Sequence, residues 1–275
     1  MRPSTARPVS YAGVAFNQVP ESENRIHSDE TAKRFGFRGG LVPGVTVSAY
    51  LCHPAVCAWG EDWLARGSAH VAVKSPLYDG ERFGVEVGAA SGSSYEAVLR
   101  SGSAEPLATA QVELPSSAPV APQMRGDRRA TRDHERPLAS RALMERLQES
   151  GMRALRTRFS ADAPMARYFR DRGAMPPACR EDGEALANPA FVLGVTNWAL
   201  AANVRMPAWL HLETWSQSFE AIPVNSELVV ESEITDLFDK QGHEFVDLDV
   251  VTFLEVERRA VTRTRLRAIY RLRDA

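Results

Sequence analysis

The sequence predicts an α+β protein built from two units of similar plan. Each half contains one long apolar helix, over residues 44–65 and 189–204, and a series of strands follows each helix. A run of strands after a helix, without regular alternation of strand and helix, is typical of the α+β class. With 275 residues, the chain is long enough for two domains of ordinary size.

The first half shows a clear series of elements. Residues 11–19 are predicted to form a strand and residues 28–35 a short helix. The long helix that follows is apolar almost all round, as expected of a buried helix. Pro54 within it removes one backbone hydrogen bond, so we expect a kink near His53. Strands are then predicted over residues 69–74, 82–89, 94–100 and 107–114, separated by Gly, Ser, Pro and Asp.

The second half repeats this order. An amphipathic helix is predicted over 138–151, ahead of the second apolar helix. Four strands are then predicted over residues 211–220, 227–237, 244–255 and 260–272. An offset of 146 residues aligns Pro43 with Pro189 and Glu81 with Glu227 without a gap, which supports an internal repeat.

The repeat divides the chain into an N-terminal unit, residues 1–115, and a C-terminal unit, residues 138–275. Residues 116–137 between them are rich in proline and arginine and poor in apolar side chains. We expect this stretch to be a partly mobile, solvated linker. Its arginines are Arg125, Arg128, Arg129, Arg132 and Arg136.

Composition indicates an ordinary globular protein. Hydrophobic residues make up 44% of the chain and charged residues 25%, with a net charge of −2, so no general attraction to nucleic acid or membrane is expected. The N-terminal residues lack the apolar run of a signal peptide, and no stretch is long enough for a membrane helix. The three cysteines lack metal-ligand spacing, which favours a reduced, cytoplasmic protein. Cys52 and Cys57 are expected to pack in the core.

Residues 21–51 contain the candidate site. Asn24 is a good N-cap, which places His27 on the first turn of a short helix, where the positive helix end favours a neutral imidazole. A neutral imidazole can accept a proton, as a general base must. Pro43-Gly44 opens the long helix, and free N–H groups at a helix N-terminus can hold a developing oxyanion.

The pattern Asn24-Arg25-Ile26-His27, followed by Gly36-Phe37, Gly39 and Leu41-Val42-Pro43-Gly44, resembles the MaoC-like hydratase/dehydratase family. The resemblance implies a double hotdog fold, in which a curved antiparallel sheet wraps a central helix in each unit. It also implies a hydro-lyase similar to (R)-specific enoyl-CoA hydratases, acting on an enoyl or 3-hydroxyacyl thioester of coenzyme A or an acyl carrier protein. No cofactor or metal is implied, and a homodimer of double hotdogs is a further expectation.

The chain departs from the family at one of its two catalytic residues. The family motif runs Asp-x-Asn-Pro-x-His, and its Asn and His correspond to Asn24 and His27. Ser22 occupies the position of the catalytic Asp, and Arg25 that of the proline. A serine hydroxyl holds its proton too tightly to replace a carboxylate near neutral pH, so an aspartate at Ser22 is expected to restore activity. The carboxylates nearest in sequence are Glu21, Glu23 and Asp29.

The remaining site residues are assigned to substrate. Arg25 is a candidate for holding a carboxylate or phosphate, and Arg38 for the phosphates of a coenzyme A or phosphopantetheine arm. The amide of Gly44 or Val45 is expected to hold the enolate oxygen. In the aligned second unit, position 173 opposite His27 is a glycine, so no counterpart base is expected there.

Three functions therefore stay open. The leading one is a hydratase or dehydratase, in which Asn24 orients His27 or the thioester. Loss of the family Asp leaves a second, a non-catalytic or partner-dependent subunit that binds acyl thioesters. The third is a thioesterase, in which Glu23 or Asp29 activates water. The sequence does not determine the acyl chain length, the stereochemistry, or the choice between coenzyme A and a carrier protein.

Overall fold

Ten strands form one antiparallel sheet in the computed structural model of the chain, which describes residues 6–88, 91–117, 119–131, 134–163, 165–180 and 185–273. The first half contains β1 (Tyr11–Val14), β2 (Ser68–Val73), β3 (Arg82–Val87), β4 (Ser94–Arg100) and β5 (Ala108–Glu113). The second half contains β6 (Leu155–Arg158), β7 (Leu210–Ser218), β8 (Glu227–Lys240), β9 (His243–Leu254) and β10 (Ala260–Arg271). The helices are α1 (Asp29–Arg34), α2 (Gly44–Arg66), α3 (Arg141–Ser150) and α4 (Pro189–Ala201).

The strand order shows that the two halves share one topology. Across the sheet the order is β1-β3-β4-β5-β2-β7-β10-β9-β8-β6. Read from either outer edge, the first, third, fourth, fifth and second strands of a half follow one another. The halves meet where β2 pairs with β7, with Val71 opposite Thr214. The double hotdog arrangement therefore joins two five-stranded units into one continuous sheet, and the unpredicted β6 is the counterpart of β1.

The two long helices pack against the sheet, and α2 extends across the junction onto the first strand of that junction from the second half, β7. α2 packs against β2, β5 and β7, and α4 packs against β8, β9 and β10, while the two helices also contact each other. Tyr50 and Leu51 of α2 and Phe191 and Leu200 of α4 are fully buried. Each helix is buried on one side by the sheet and on another by the neighbouring helix. This burial explains why the sequence of each helix is apolar nearly all round.

The irregularity of α2 lies further along than predicted. Pro54 is accommodated within the helix, and the backbone leaves helical values at Gly60, with φ 56° and ψ −132°. This positive φ costs glycine little, because it has no Cβ. The kink expected near His53 is therefore wrong in position.

The ungapped repeat alignment also fails in its middle. It places Trp63 opposite Trp209, but Trp63 lies inside α2 and Trp209 directly precedes β7. The reason is the difference in helix length, with 23 residues in α2 and 13 in α4. The offset matches the helix starts, and the starts of β3 and β8, to within one residue.

The three cysteines are free thiols, but they do not share one environment. Cys52 and Cys179 are buried, whereas Cys57 is exposed. The Cys57 Sγ lies 3.3 Å from His53 Nε2, one turn earlier on α2. Core packing was therefore predicted correctly for Cys52 and wrongly for Cys57.

The described part of the predicted linker is fastened to the rest of the protein. The buried Glu231 carboxylate on β8 accepts hydrogen bonds from the backbone N–H groups of Arg125, Gly126 and Asp127, at 2.8, 2.6 and 2.9 Å. Near its other end, Arg136 pairs with Glu23 at 2.7 Å. Most of its described residues are nevertheless exposed, as expected of a solvated connector, and Arg132 lies outside the described residues. In the described part of the chain, no helix has the length and apolar character needed to cross a membrane.

Candidate functional site

A cavity of about 130 Å³ lies where the N-terminus of α2 meets the start of β7. It therefore lies at the junction of the two units, and its wall is mostly apolar, as is usual for small-molecule sites. The first unit lines it with residues that include Asn24, His27, Phe37, Gly44, Val47 and Lys74. The second unit contributes Asn197 of α4 together with Trp209, Leu210, His211 and Leu212.

His27 occupies the third position of a 3₁₀ turn, Arg25–His27, as the sequence predicted. Its Nδ1 lies 2.7 Å from the Leu41 carbonyl oxygen, and its Nε2 lies 3.3 Å from Nδ2 of Asn24. A carbonyl oxygen can only accept and an amide nitrogen can only donate, so the proton is on Nδ1 and a lone pair is on Nε2. Burial lowers the pKa of His27 to about 4, against a smaller opposing effect of the bond to Leu41. The imidazole is thus neutral as expected, but burial rather than the helix end is the cause.

Asn24 does not cap this turn, contrary to the sequence-based prediction. Its Oδ1 accepts a hydrogen bond from the Trp209 N–H at 3.1 Å, and its Nδ2 donates one to the Trp209 carbonyl oxygen at 3.1 Å. Paired bonds to one backbone residue define the orientation of the amide. The same amide nitrogen contacts His27, so Asn24 connects the candidate base of the first unit to the strand of the second.

The N-terminus of α2 supplies the predicted free amides. Neither Gly44 nor Val45 donates its N–H to any other described residue, as expected in the first turn of a helix. Gly44 lines the cavity, whereas Val45 is fully buried and does not. A Cβ added at Gly44 would lie 2.7 Å from the His211 carbonyl oxygen. Glycine at this position therefore allows β7 to approach the helix end.

Besides Val45, three predicted site residues lie outside the cavity. Ser22 lines a separate surface depression, and its hydroxyl donates a hydrogen bond to the Asn24 carbonyl oxygen at 3.1 Å. Arg25 is exposed and is not a cavity residue. Arg38 pairs with Glu81 at 2.7 Å and lies over the ring of Tyr78 at 4.1 Å. The structure therefore does not bring Ser22, Arg25 or Arg38 into the cavity with His27.

None of the described residues that line the cavity is an aspartate or glutamate. Glu21 lies in the depression that contains Ser22. Glu23 is bound to Arg136, which lowers the pKa of its carboxyl through a hydrogen bond to that side chain. Asp29 accepts a hydrogen bond from the Gly40 N–H at 2.8 Å. The carboxylates that lie near Ser22 in the sequence are therefore not among the residues that line the cavity.

Sequence reasoning missed His211. His211 lies on β7 and bonds through Nδ1 to Oδ1 of Asn197 at 2.9 Å, while its Nε2 is buried without a partner among the described residues. Burial lowers its pKa to about 3, so this imidazole is neutral as well. The second unit therefore does contribute an imidazole, from a strand rather than from the position aligned with His27. No sequence motif surrounds His211. Its position at the cavity follows only from the contact between β7 and the N-terminus of α2.

Lys74 is the other residue that the sequence did not single out. It follows β2, is exposed, and lines the cavity. Among the ion pairs of the described residues, none includes Lys74. An ammonium group at this place is available to an anionic part of a ligand, whereas the guanidinium of Arg38 is already paired.

Acid should destabilise the protein through its buried histidines. The folded pKa values of His27 and His211 lie near 4 and 3, below the ordinary value of 6.5. The unfolded chain therefore binds protons first, so the free energy of unfolding decreases as the pH falls below 6.5 and continues to decrease until the folded pKa values are reached. His211→Phe removes one of these groups, and its melting temperature should fall less between pH 7 and pH 5 than that of the wild type. An equal fall in calorimetry would contradict the buried, neutral state of His211.

Comparison with known proteins extends over nearly the whole chain but only at the level of structure. No family model matches the sequence, and the curated proteins include no match. A conserved hypothetical protein from Mycobacterium tuberculosis, described as a double hotdog, matches with a TM-score of 0.57 and 13% identity over 96% of each chain.

Two further solved structures carry functional names. A putative MaoC domain protein dehydratase from Chloroflexus aurantiacus J-10-fl matches with a TM-score of 0.52 and 10% identity over 95% of each chain. A tesB protein from Mycobacterium avium subs paratuberculosis matches with a TM-score of 0.53 and 11% identity, over 95% of this chain and 92% of that chain. At such identities the likeness shows the fold, and the double hotdog fold predicted from the sequence resemblance is confirmed.

Proposed function

We propose that the protein is an acyl-thioester hydratase or dehydratase in which His27 is the acid/base group. The observation that carries this proposal is the neutral imidazole of His27, with its lone pair on Nε2, in a cavity that also contains the free amide of Gly44. Proton transfer next to an oxyanion-binding amide is the chemistry that hydration of an enoyl thioester requires. The MaoC-type dehydratase among the structural neighbours supports the same reaction class.

The reaction can be written with these two groups. In the hydration direction, Nε2 of His27 exchanges its contact with the Asn24 amide for water and takes a proton from it as the water oxygen attacks C3 of the enoyl thioester. The electron pair of the double bond moves to the thioester oxygen, and the Gly44 N–H stabilises the resulting enolate. The imidazolium then returns its proton to C2, which completes the 3-hydroxyacyl thioester. Dehydration follows the same steps in reverse.

The thiol part of the substrate is a coenzyme A or carrier-protein arm. Lys74 is the group that we assign to its phosphates, in place of Arg38, because Lys74 is exposed on the cavity wall and Arg38 is paired with Glu81. A homodimer and a cytoplasmic location stay predictions.

Thioester hydrolysis is the second candidate. The tesB neighbour favours it, and so does the cavity wall, because the described lining residues offer no carboxylate that could share the two proton transfers of hydration with His27. Hydrolysis needs only one base to activate water and one donor for the oxyanion, which His27 and Gly44 can supply. A binding subunit without turnover is the remaining alternative.

A small panel of thioesters separates these functions. The protein is incubated with crotonyl-CoA, both enantiomers of 3-hydroxybutyryl-CoA, and butyryl-CoA, while the enoyl absorbance and the free thiol are followed together. A hydratase changes the enoyl absorbance without releasing thiol. Thiol release from butyryl-CoA would instead establish a thioesterase. Binding without either signal, measured by calorimetry, would leave the binding subunit.

A further inference from the structure

His211 is a residue of the cavity wall, and its side chain contains a buried polar atom without a partner among the described residues. Several buried side-chain atoms among the described residues lack a hydrogen-bond partner, and the Nε2 atom of His211 is the one that belongs to a residue lining the cavity. His211 is only 8% exposed. A buried polar atom without a partner costs free energy, so a ligand atom that bonds to it binds more tightly.

The neighbours of His211 define what that ligand atom must be. The Nδ1 proton is donated to Oδ1 of Asn197, at 2.9 Å. In the neutral ring this leaves only a lone pair on Nε2, which can accept a hydrogen bond but cannot donate one. The matching group is therefore a donor such as a hydroxyl group or water, and not a carbonyl, carboxylate or phosphate oxygen.

The position of the ring relates this acceptor to the thioester. A Cβ added at Gly44 would lie 3.1 Å from Cδ2 of His211, the carbon bonded to Nε2. The imidazole therefore lies against the helix end whose amide is assigned to the thioester oxygen. Trp209, two residues earlier on the same chain segment, is bound by Asn24, which in turn contacts His27. His27 and His211 are thus held on the same cavity by one set of backbone contacts.

We propose that His211 accepts a hydrogen bond from the 3-hydroxyl group of a 3-hydroxyacyl thioester, and that in hydration it accepts one from the attacking water. This assignment rests on the proposed function. Of the two water hydrogens, one passes to Nε2 of His27 and then to C2. The other stays on the oxygen, bonded to His211, and becomes the hydroxyl hydrogen of the product. Two neutral imidazoles then orient the water, and the substrate class is an acyl chain hydroxylated at C3.

Binding of matched ligands tests the role of His211. Calorimetry compares both enantiomers of 3-hydroxybutyryl-CoA, butyryl-CoA and 3-fluorobutyryl-CoA on the wild type, His211→Phe and His211→Gln. One neutral hydrogen bond corresponds to an affinity difference of roughly threefold to tenfold, and we expect the wild type to prefer one hydroxylated enantiomer by that factor. His211→Phe should abolish the preference, and His211→Gln should restore part of it, because its amide oxygen can accept the bond.

The outcomes distinguish this inference from the proposed function. A hydroxyl preference that His211→Phe removes, in a protein that turns over none of the thioesters, supports the assignment of His211 and overturns the hydratase. Turnover with a preference that survives His211→Phe overturns the assignment of His211 alone. If His211→Phe does not fold, the wild type decides, because 3-fluorobutyryl-CoA fills the same space without donating. Binding of this analogue as tight as that of the preferred hydroxylated ligand would also overturn the inference.

Discussion

His27→Ala should lower hydratase turnover by roughly 10²–10⁴-fold, the usual contribution of general acid–base catalysis. Alanine removes the group that exchanges a proton with water and with C2. It also removes the bond from Nδ1 to the Leu41 carbonyl oxygen, which contributes only about 1 kcal/mol to stability. The turnover of crotonyl-CoA and the melting temperature, measured on the same preparation, check both parts.

His53→Ala is the matched control for this variant. Burial lowers the pKa of His53 to about 4, as it does for His27, but His53 lies on α2 outside the cavity lining and bonds to the Tyr168 hydroxyl at 3.0 Å. This variant should lose stability while its turnover stays close to that of the wild type. Ser22→Asp, which the sequence resemblance predicts to restore activity, should instead leave turnover unchanged, because Ser22 lies in a different depression. Equal losses of turnover in His27→Ala and His53→Ala would show that His27 has a structural role only.

Gly44→Ala should reduce turnover by about 10²-fold, the loss typical of a displaced oxyanion donor. The added Cβ would lie only 2.7 Å from the His211 carbonyl oxygen, and relieving this clash by moving a strand backbone costs free energy. We therefore expect the start of β7 to move away from α2 and the cavity to lose its geometry. Overpacking of this kind costs about 1–3 kcal/mol of stability, which chemical denaturation measures.

Gly84→Ala provides the comparison for Gly44→Ala. Gly84 lies on β3, its φ is not positive, and the nearest atom to an added Cβ is the Tyr11 carbonyl oxygen at 4.0 Å. This variant should keep both turnover and stability. The variant cannot preserve the observed packing around the Gly44 amide. If its turnover equals that of the wild type, the N-terminus of α2 has no role in the mechanism.

The sequence by itself determined most of the elements and their order, with β6 as the strand that it did not predict. Hydrophobic patterning and the Pro43-Gly44 signal placed the start of α2 at its observed residue, and the later strands of both halves lie close to their predicted ranges. Asn24 and His27 also lie together as predicted, because residues of one turn are neighbours whatever the rest of the chain does. These features depend on local spacing, which the sequence contains directly.

Only the tertiary structure decided which of these residues form the site. Asn24 bonds to the backbone of Trp209 instead of capping its own turn. His211 comes from the second unit, because β2 pairs with β7 and brings the start of β7 against the N-terminus of α2. The ion pair between Glu23 and Arg136 likewise joins segments that are far apart in sequence, so local spacing does not reveal it. Spacing along the chain defines which side chains share a turn or a strand face. Which strand edges meet depends on how the two units bury their central helices together, and that packing places the polar groups of both units on one cavity.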